Sequence, residues 1–98
     1  SLLKGVISLR LLPLKDGPGR IPAYEIMLLT PTISRLIREG KIWEISPFIE
    51  DGAIFGMQSF NQSLVKLARE DKVTAEVAAS FADSKDEFTL TLKGIKKI

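Results

Sequence analysis

Val6-Ile7-Ser8-Leu9-Arg10-Leu11-Leu12-Pro13, then Asp16-Gly17-Pro18-Gly19, then Ile21-Pro22-Ala23-Tyr24-Glu25-Ile26-Met27-Leu28-Leu29 is the stretch that decides the fold. The first segment is rich in branched apolar residues and bounded by Gly5 and Pro13, which predicts a strand, mostly buried. Pro13 and the Asp-Gly-Pro-Gly cluster are turn chemistry, because proline fixes φ and glycine permits positive φ. Residues 21–29 read as the second strand. Pro22 removes one ladder donor, so that end belongs at an edge or outside the pairing. Two strands around a short turn give an antiparallel hairpin. A lone hairpin is marginal in water, so it needs a helical layer or further strands against it.

Working outward, the period changes at Thr30. Thr30 is placed to cap a helix with Pro31 at its first position, where a missing N–H is harmless. Ile33, Leu36 and Ile37 fall on one face, Arg35 and Arg38 on others, and Gly40 is a natural stop. The stripe Ile42, Ile45, Phe48, Ile49 is interrupted by Ser46-Pro47. Either Pro47 kinks one helix, or Ser46 caps a second short one ending near Gly52. Residues 53–58 read as a connecting loop with Gly52 and Gly56 as hinges and Met57 as an anchor or gap-filler. Ser59 and Gln62 match a capping box ahead of an apolar face of Phe60, Leu64, Leu67 and Ala68, giving a helix to about Asp71. Thr74 caps another helix, with Val77, Ala78 and Phe81 inward and Glu76 near its positive end. Ser84 and Glu87 form a second capping box before Phe88, Leu92 and Ile95, although Phe88, Leu90 and Leu92 also suit a strand. The fold class is therefore α+β: an antiparallel hairpin over residues 1–29, then a helical unit of four to five short helices over residues 30–98.

Composition removes much chemistry. The 98 residues contain no Cys and no His, which excludes disulfides, thiolate nucleophiles, Cys/His zinc sites and imidazole acid–base catalysis. No phosphate-binding loop is present; Gly17-Pro18-Gly19-Arg20 opens no helix and reads as a hairpin turn. The neighbouring carboxylates Glu50-Asp51 and Asp86-Glu87 do not share a helix face, so neither pair makes a catalytic or metal site. Residues 1–41 hold seven basic and three acidic side chains, and residues 42–98 hold seven and nine. The basic half is a mixed, solvated surface rather than a nucleic-acid arm, and Lys93, Lys96 and Lys97 form only a sparse tail. Trp43 lies close to Arg35, Arg38 and Lys41, but its helical spacing makes it a packing residue rather than a stacking platform. No run of residues is long enough to be a membrane-spanning helix, and no signal peptide is recognisable. The chain does not begin with Met and reads as a piece of a longer protein.

Four stretches carry a family resemblance. They are residues 3–13, Gly19-Arg20 through Tyr24-Glu25-Ile26-Met27, Thr30-Pro31-Thr32-Ile33-Ser34-Arg35-Leu36-Ile37-Arg38-Glu39-Gly40-Lys41, and Gly56-Met57-Gln58-Ser59-Phe60-Asn61-Gln62-Ser63-Leu64. The third resembles an A-I-R-N-L-I-R-E signature helix, and the fourth a G-M-Q-T-x-D-Q-x-L stretch. Together they resemble the C-terminal part of the twitching-motility ATPases of type IV pilus retraction, the PilT type within the secretion ATPase superfamily. Thr32 stands where the family has Ala, Ser34 where it has Asn, Leu9 where Gln is common and Asn61 where Asp is usual. The lack of a four-Cys zinc element favours the retraction branch over the assembly and secretion branches.

The resemblance implies a fragment. Its parent would be a homohexameric cytoplasmic motor, peripheral to the inner membrane and working on the pilus inner-membrane machinery, with ATP and Mg bound upstream of anything here. Residues 1–29 would be the terminal strands of a RecA-like domain and residues 30–98 a C-terminal helical subdomain. The fragment itself would be non-catalytic and hold no cofactor, metal or nucleic acid, and its exposed sheet would favour self-association. By position, Ile33, Arg35, Leu36, Ile37, Arg38 and Glu39 match the signature helix. With Lys41 they would form the interaction site, with Ile33, Leu36 and Ile37 buried and the charges outward. Gly52, Gly56, Met57 and Gln58 would form a mobile loop. The alternative is a free-standing α+β interaction module with no ATPase domain.

Overall fold

A computed structural model describes residues 4–95. Strands β1 (Gly5–Pro13) and β2 (Arg20–Leu28) pair antiparallel, with Gly5 opposite Leu28 and Pro13 opposite Arg20. Five helices follow: α1 (Pro31–Arg38), α2 (Ser46–Asp51), α3 (Phe60–Arg69), α4 (Ala75–Phe81) and α5 (Lys85–Leu92). Short 3-10 turns at Ile42–Glu44 and Gly52–Phe55 flank α2. The α+β expectation of a hairpin followed by about five short helices is thus what the chain adopts, and the segment at Phe88 is helix.

Local chemistry explains most helix starts. Thr30 Oγ1 accepts from the Ile33 amide at 3.2 Å, with Pro31 at the first position. Ser59 Oγ accepts from Gln62 N at 3.1 Å while Gln62 Oε1 accepts from Ser59 N at 2.9 Å, a reciprocal box. Thr74 and Ser84 cap α4 and α5 through the amides of Val77 and Glu87. Pro47 sits in the first turn of α2 and kinks nothing, but Ser46 is inside that helix and makes no side-chain cap.

Two cores result. The larger lies between the hairpin and α3–α5 and is built from Leu12, Ala23, Phe60, Leu64, Val65, Leu67, Val73, Ala78 and Phe88. The smaller joins α1 and α2 to the end of β2 through Ile33, Leu36, Ile45, Ile49 and Met57, packed with Met27, Leu28 and Leu29. Residues 71 apart in sequence are tied together at Arg10. Its Nη1 donates to the Phe81 carbonyl at 2.7 Å and its Nη2 to Asp83 Oδ1 at 2.9 Å. Its guanidinium carbon lies 3.9 Å from the Phe60 ring centroid.

Four expectations need correction. β1 is not mostly buried: Leu12 is enclosed, but Ile7, Leu9 and Leu11 are exposed, because helices cover only one face of the hairpin, and Val6, on the covered face, is exposed near the strand's start. Ile42 and Phe48 are exposed, so their stripe packs only through Ile45 and Ile49. Trp43 is 77% exposed and is no packing residue, because a 3-10 turn rather than a continuing α-helix carries it outward. Ile95 is exposed beyond the end of α5, and Thr91 takes the inward place, donating to the Glu87 carbonyl at 2.9 Å and accepting from Asn61 Nδ2 at 3.0 Å. Lys96 and Lys97 of the basic tail, and Leu3 of the first family stretch, lie outside the described residues.

Replacing Arg10 by Ala removes a charged donor from the Phe81 carbonyl together with the ring contact. The substitution is expected to lower unfolding stability by about 1–3 kcal/mol. Equilibrium urea denaturation measures this, and an unchanged midpoint would show that the tie contributes nothing.

Candidate functional site

Helix α1 and the turn after it present an exposed charged surface. Thr30 and Pro31 fix where the helix starts, and burial of Ile33 and Leu36 in the smaller core fixes its rotation. Arg35, Arg38, Glu39 and Lys41 all face outward. Ile37 does not join the buried face: it is 41% exposed, a further correction, because it lies about 100° around the helix from Leu36, at the margin of the face that Ile33 and Leu36 bury.

The charges are organised around Glu39. Arg35 Nη1 lies 3.4 Å from Glu39 Oε1, and Lys41 Nζ lies 3.3 Å from the same oxygen. The Lys41 hydrogen bond, reinforced by the Arg35 and Lys41 charges, holds the Glu39 carboxyl below its ordinary range. Glu39 thereby absorbs Arg35 and Lys41, while Arg38 forms no ion pair among the described residues. In the same stretch of sequence the apolar side chains of Ile37, Ile42 and Trp43 are exposed as well. Arginine and tryptophan are among the residue types that carry binding energy at protein interfaces. Sequence reasoning chose the charges and assigned Trp43 to packing; its place just after the stop at Gly40 was the available signal that it lies outside the helix.

The Gly52–Gln58 loop packs closely around Met57. A Cβ on Gly52 would lie 2.9 Å from the Met57 methyl, and φ there is −85°, so this glycine gives room to Met57 rather than backbone freedom. Gly56 alone needs its residue type for conformation, at φ +87°. Met57 is buried in the smaller core, and Gln58 forms a two-bond bridge to Ile26 on β2. An apolar hollow of about 380 Å³ lies between Leu28, Thr30, Pro31, Phe55 and Met57, next to the start of α1. The structure therefore joins loop and helix through one small core, with Met57 inside and the α1 charges outside. No group of three acidic side chains able to hold a metal occurs among the described residues.

Comparison with known proteins finds relatives along most of the chain. The chain is 36% identical over 91 residues to the type IV pilus ATPase PilU of Pseudomonas aeruginosa, covering 93% of the chain and 24% of the relative. It is 37% identical over 87 residues to a twitching motility protein of Neisseria gonorrhoeae, covering 89% of the chain and 23% of that relative. It is 37% identical over 86 residues to the type IV pilus retractation ATPase PilT of P. aeruginosa, with 88% and 25% covered.

Along most of its length the chain is a homologue of type IV pilus ATPases. No protein-family model matches it. It spans about a quarter of the length of these curated relatives. Of the stretches that carry resemblance by motif, residues 30–41 contribute Ile33 and Leu36 to the smaller core, and residues 56–64 contribute Met57 to it and Phe60 and Leu64 to the larger one.

The Glu39 arrangement has a measurable consequence. A carboxyl with a depressed folded-state pKa stabilises the fold above its unfolded pKa, near 4.3 for an ordinary Glu, and that stabilisation disappears as pH falls through the folded value. Carboxyl NMR titration is expected to place the Glu39 midpoint below that of an unstructured Glu and to move it upward in Lys41→Ala. A midpoint indifferent to Lys41→Ala would remove Lys41 as the cause.

Proposed function

We propose that the chain is the C-terminal, non-catalytic portion of a cytoplasmic, homohexameric ATPase that drives type IV pilus retraction, and that the α1 surface transmits the motor's work to the pilus machinery. The observation that carries this reading is homology over about nine-tenths of the chain to three pilus ATPases at once. It is supported by the outward charges of the signature helix. ATP and its Mg2+ would be held in sequence outside these residues, since the 98 residues contain no phosphate-binding loop. The functional groups here are accordingly mechanical: Arg38 and Trp43 as partner contacts, Glu39 as the brace holding Arg35 and Lys41, and Ile33 and Leu36 as the root of the helix. Residues 1–29 would close the ATPase domain's sheet and residues 30–98 would form the appended helical subdomain.

Two measurements test this. Calorimetric titration of the 98-residue chain with ATP is expected to show no binding at about 1 μM affinity; a binding isotherm in that range contradicts a non-catalytic portion. In the complete protein, Arg38→Ala and Trp43→Ala are expected to reduce surface motility about tenfold while ATP hydrolysis stays within about twofold, since a few Arg and Trp contacts dominate an interface. Equal loss of both activities would relocate the two residues to the ATP cycle.

A further inference from the structure

The chain leaves the sheet and returns to the same place. Strand β2 ends at Leu28, and residues 30–57 then build α1, α2 and the two 3-10 turns. At Gln58 the backbone is again beside β2. Ile26 N donates to Gln58 O at 2.7 Å, Gln58 N donates to Ile26 O at 3.0 Å, and Gln58 Nε2 donates to Tyr24 O at 3.2 Å. Helix α3 starts two residues later, at Phe60. The excursion is thus closed at its base, and Gln58 joins β2 to the approach to α3 without the help of α1 or α2.

Apolar packing follows the same boundary. Among the described residues the buried apolar side chains of the excursion are Ile33, Leu36, Ile45, Ile49 and Met57, and all five lie in the smaller core. From outside, that core takes Met27, Leu28 and Leu29, at the excursion's own point of departure, and no apolar side chain of α3, α4 or α5. Hollows of about 380 and 260 Å³ open beside Met57, so its packing is incomplete on those sides.

Polar ties divide in the same way. The hairpin is bound to the helices beyond Gln58 through Arg10, which reaches Phe81 and Asp83, and through Lys15, which reaches Asp71 and Lys72. The ion pairs of α1, from Arg35 and Lys41 to Glu39, stay inside the excursion. Among the described residues the side-chain ties from residues 31–57 to this body converge on Glu50. Its Oε2 accepts from Ser59 Oγ at 3.4 Å, and its carbonyl accepts from Gln62 Nε2 at 3.5 Å.

We infer that residues 30–57 form a separate cooperative unit, which opens and recloses while the hairpin and α3–α5 stay folded. Gln58 is the fixed clamp at its base, and Glu50 is the latch that ties α2 to the first turn of α3. Short helices with a small core of their own and few ties outward are the part of a native protein that opens before the rest. The opening stands on packing and topology alone. Its use, as a compliant mount for the α1 surface between motor and partner, rests on the reading above.

Peptide-resolved hydrogen exchange on the protein expressed from its complete reading frame tests the inference. The amides of α1 and α2 are expected to share one protection factor to within about threefold, and that factor is expected to lie at least about tenfold below that of α3. Leu36→Ala opens a cavity in the smaller core. It is expected to accelerate α1 and α2 together by about tenfold or more while β2 and α3 stay within about twofold. Glu50→Ala leaves both cores intact and carries the same test should Leu36→Ala fail to fold, with an acceleration of about threefold confined to the same two helices. Protection of α1 and α2 equal to that of α3 would overturn the inference. So would acceleration of β2 and α3 in step with α1, which would make the chain one cooperative unit, and so would a response of α1 without α2. None of these readouts depends on ATP turnover or motility, so failure here is distinguishable from failure of the proposed motor role.

Discussion

The seating of α3 on the hairpin is the constraint on which the remaining structure depends. Ala23 is fully enclosed, and its small side chain beside Arg10 lets Phe60 approach the sheet. Glu25 Oε2 accepts from the Phe60 amide at 3.3 Å and Tyr24 N donates to Ser63 Oγ, so β2 grips the first turn of the helix by hydrogen bonds as well as by packing. Arg10 then reaches past Phe60 to the end of α4. Bulk at position 23 would push α3 off the sheet and open the larger core, a change that well-packed interiors tolerate poorly.

What could be read from the sequence was what is decided locally. Thr30 with Pro31, Ser59 with Gln62, Thr74 and Ser84 each set a helix start through a residue three positions on, and each does so in the structure. The hairpin was legible from its turn chemistry. Arg10 was not, because its partners are Phe81 and Asp83, far along the chain. The exposure of β1 was misjudged for a different reason. Its residues have the composition of a covered strand, and composition reports what a segment is suited to rather than what stands beside it.

The candidate site shows the same division. Outward placement of Arg35, Arg38, Glu39 and Lys41 followed from helix periodicity and holds. The apolar side of that surface did not follow, because the chain leaves α-helical geometry at Gly40 and the 3-10 turn presents Trp43 on a new bearing. At Gly52 the structure shows a need for space that the sequence did not reveal, because only the position of Met57 discloses it.

Strand β2 is shared by both cores, with Ile21 and Ala23 near one end in the larger and Met27 and Leu28 at the other in the smaller. Nine residues at about 3.3 Å each make it a strut roughly 30 Å long. Among the described residues the two cores have no side chain in common. A load placed on α1 therefore reaches the α3–α5 bundle partly as tension along a hydrogen-bonded ribbon, which resists stretching far better than a loop does. The chain is built less like a ball than like a beam with a weight at either end.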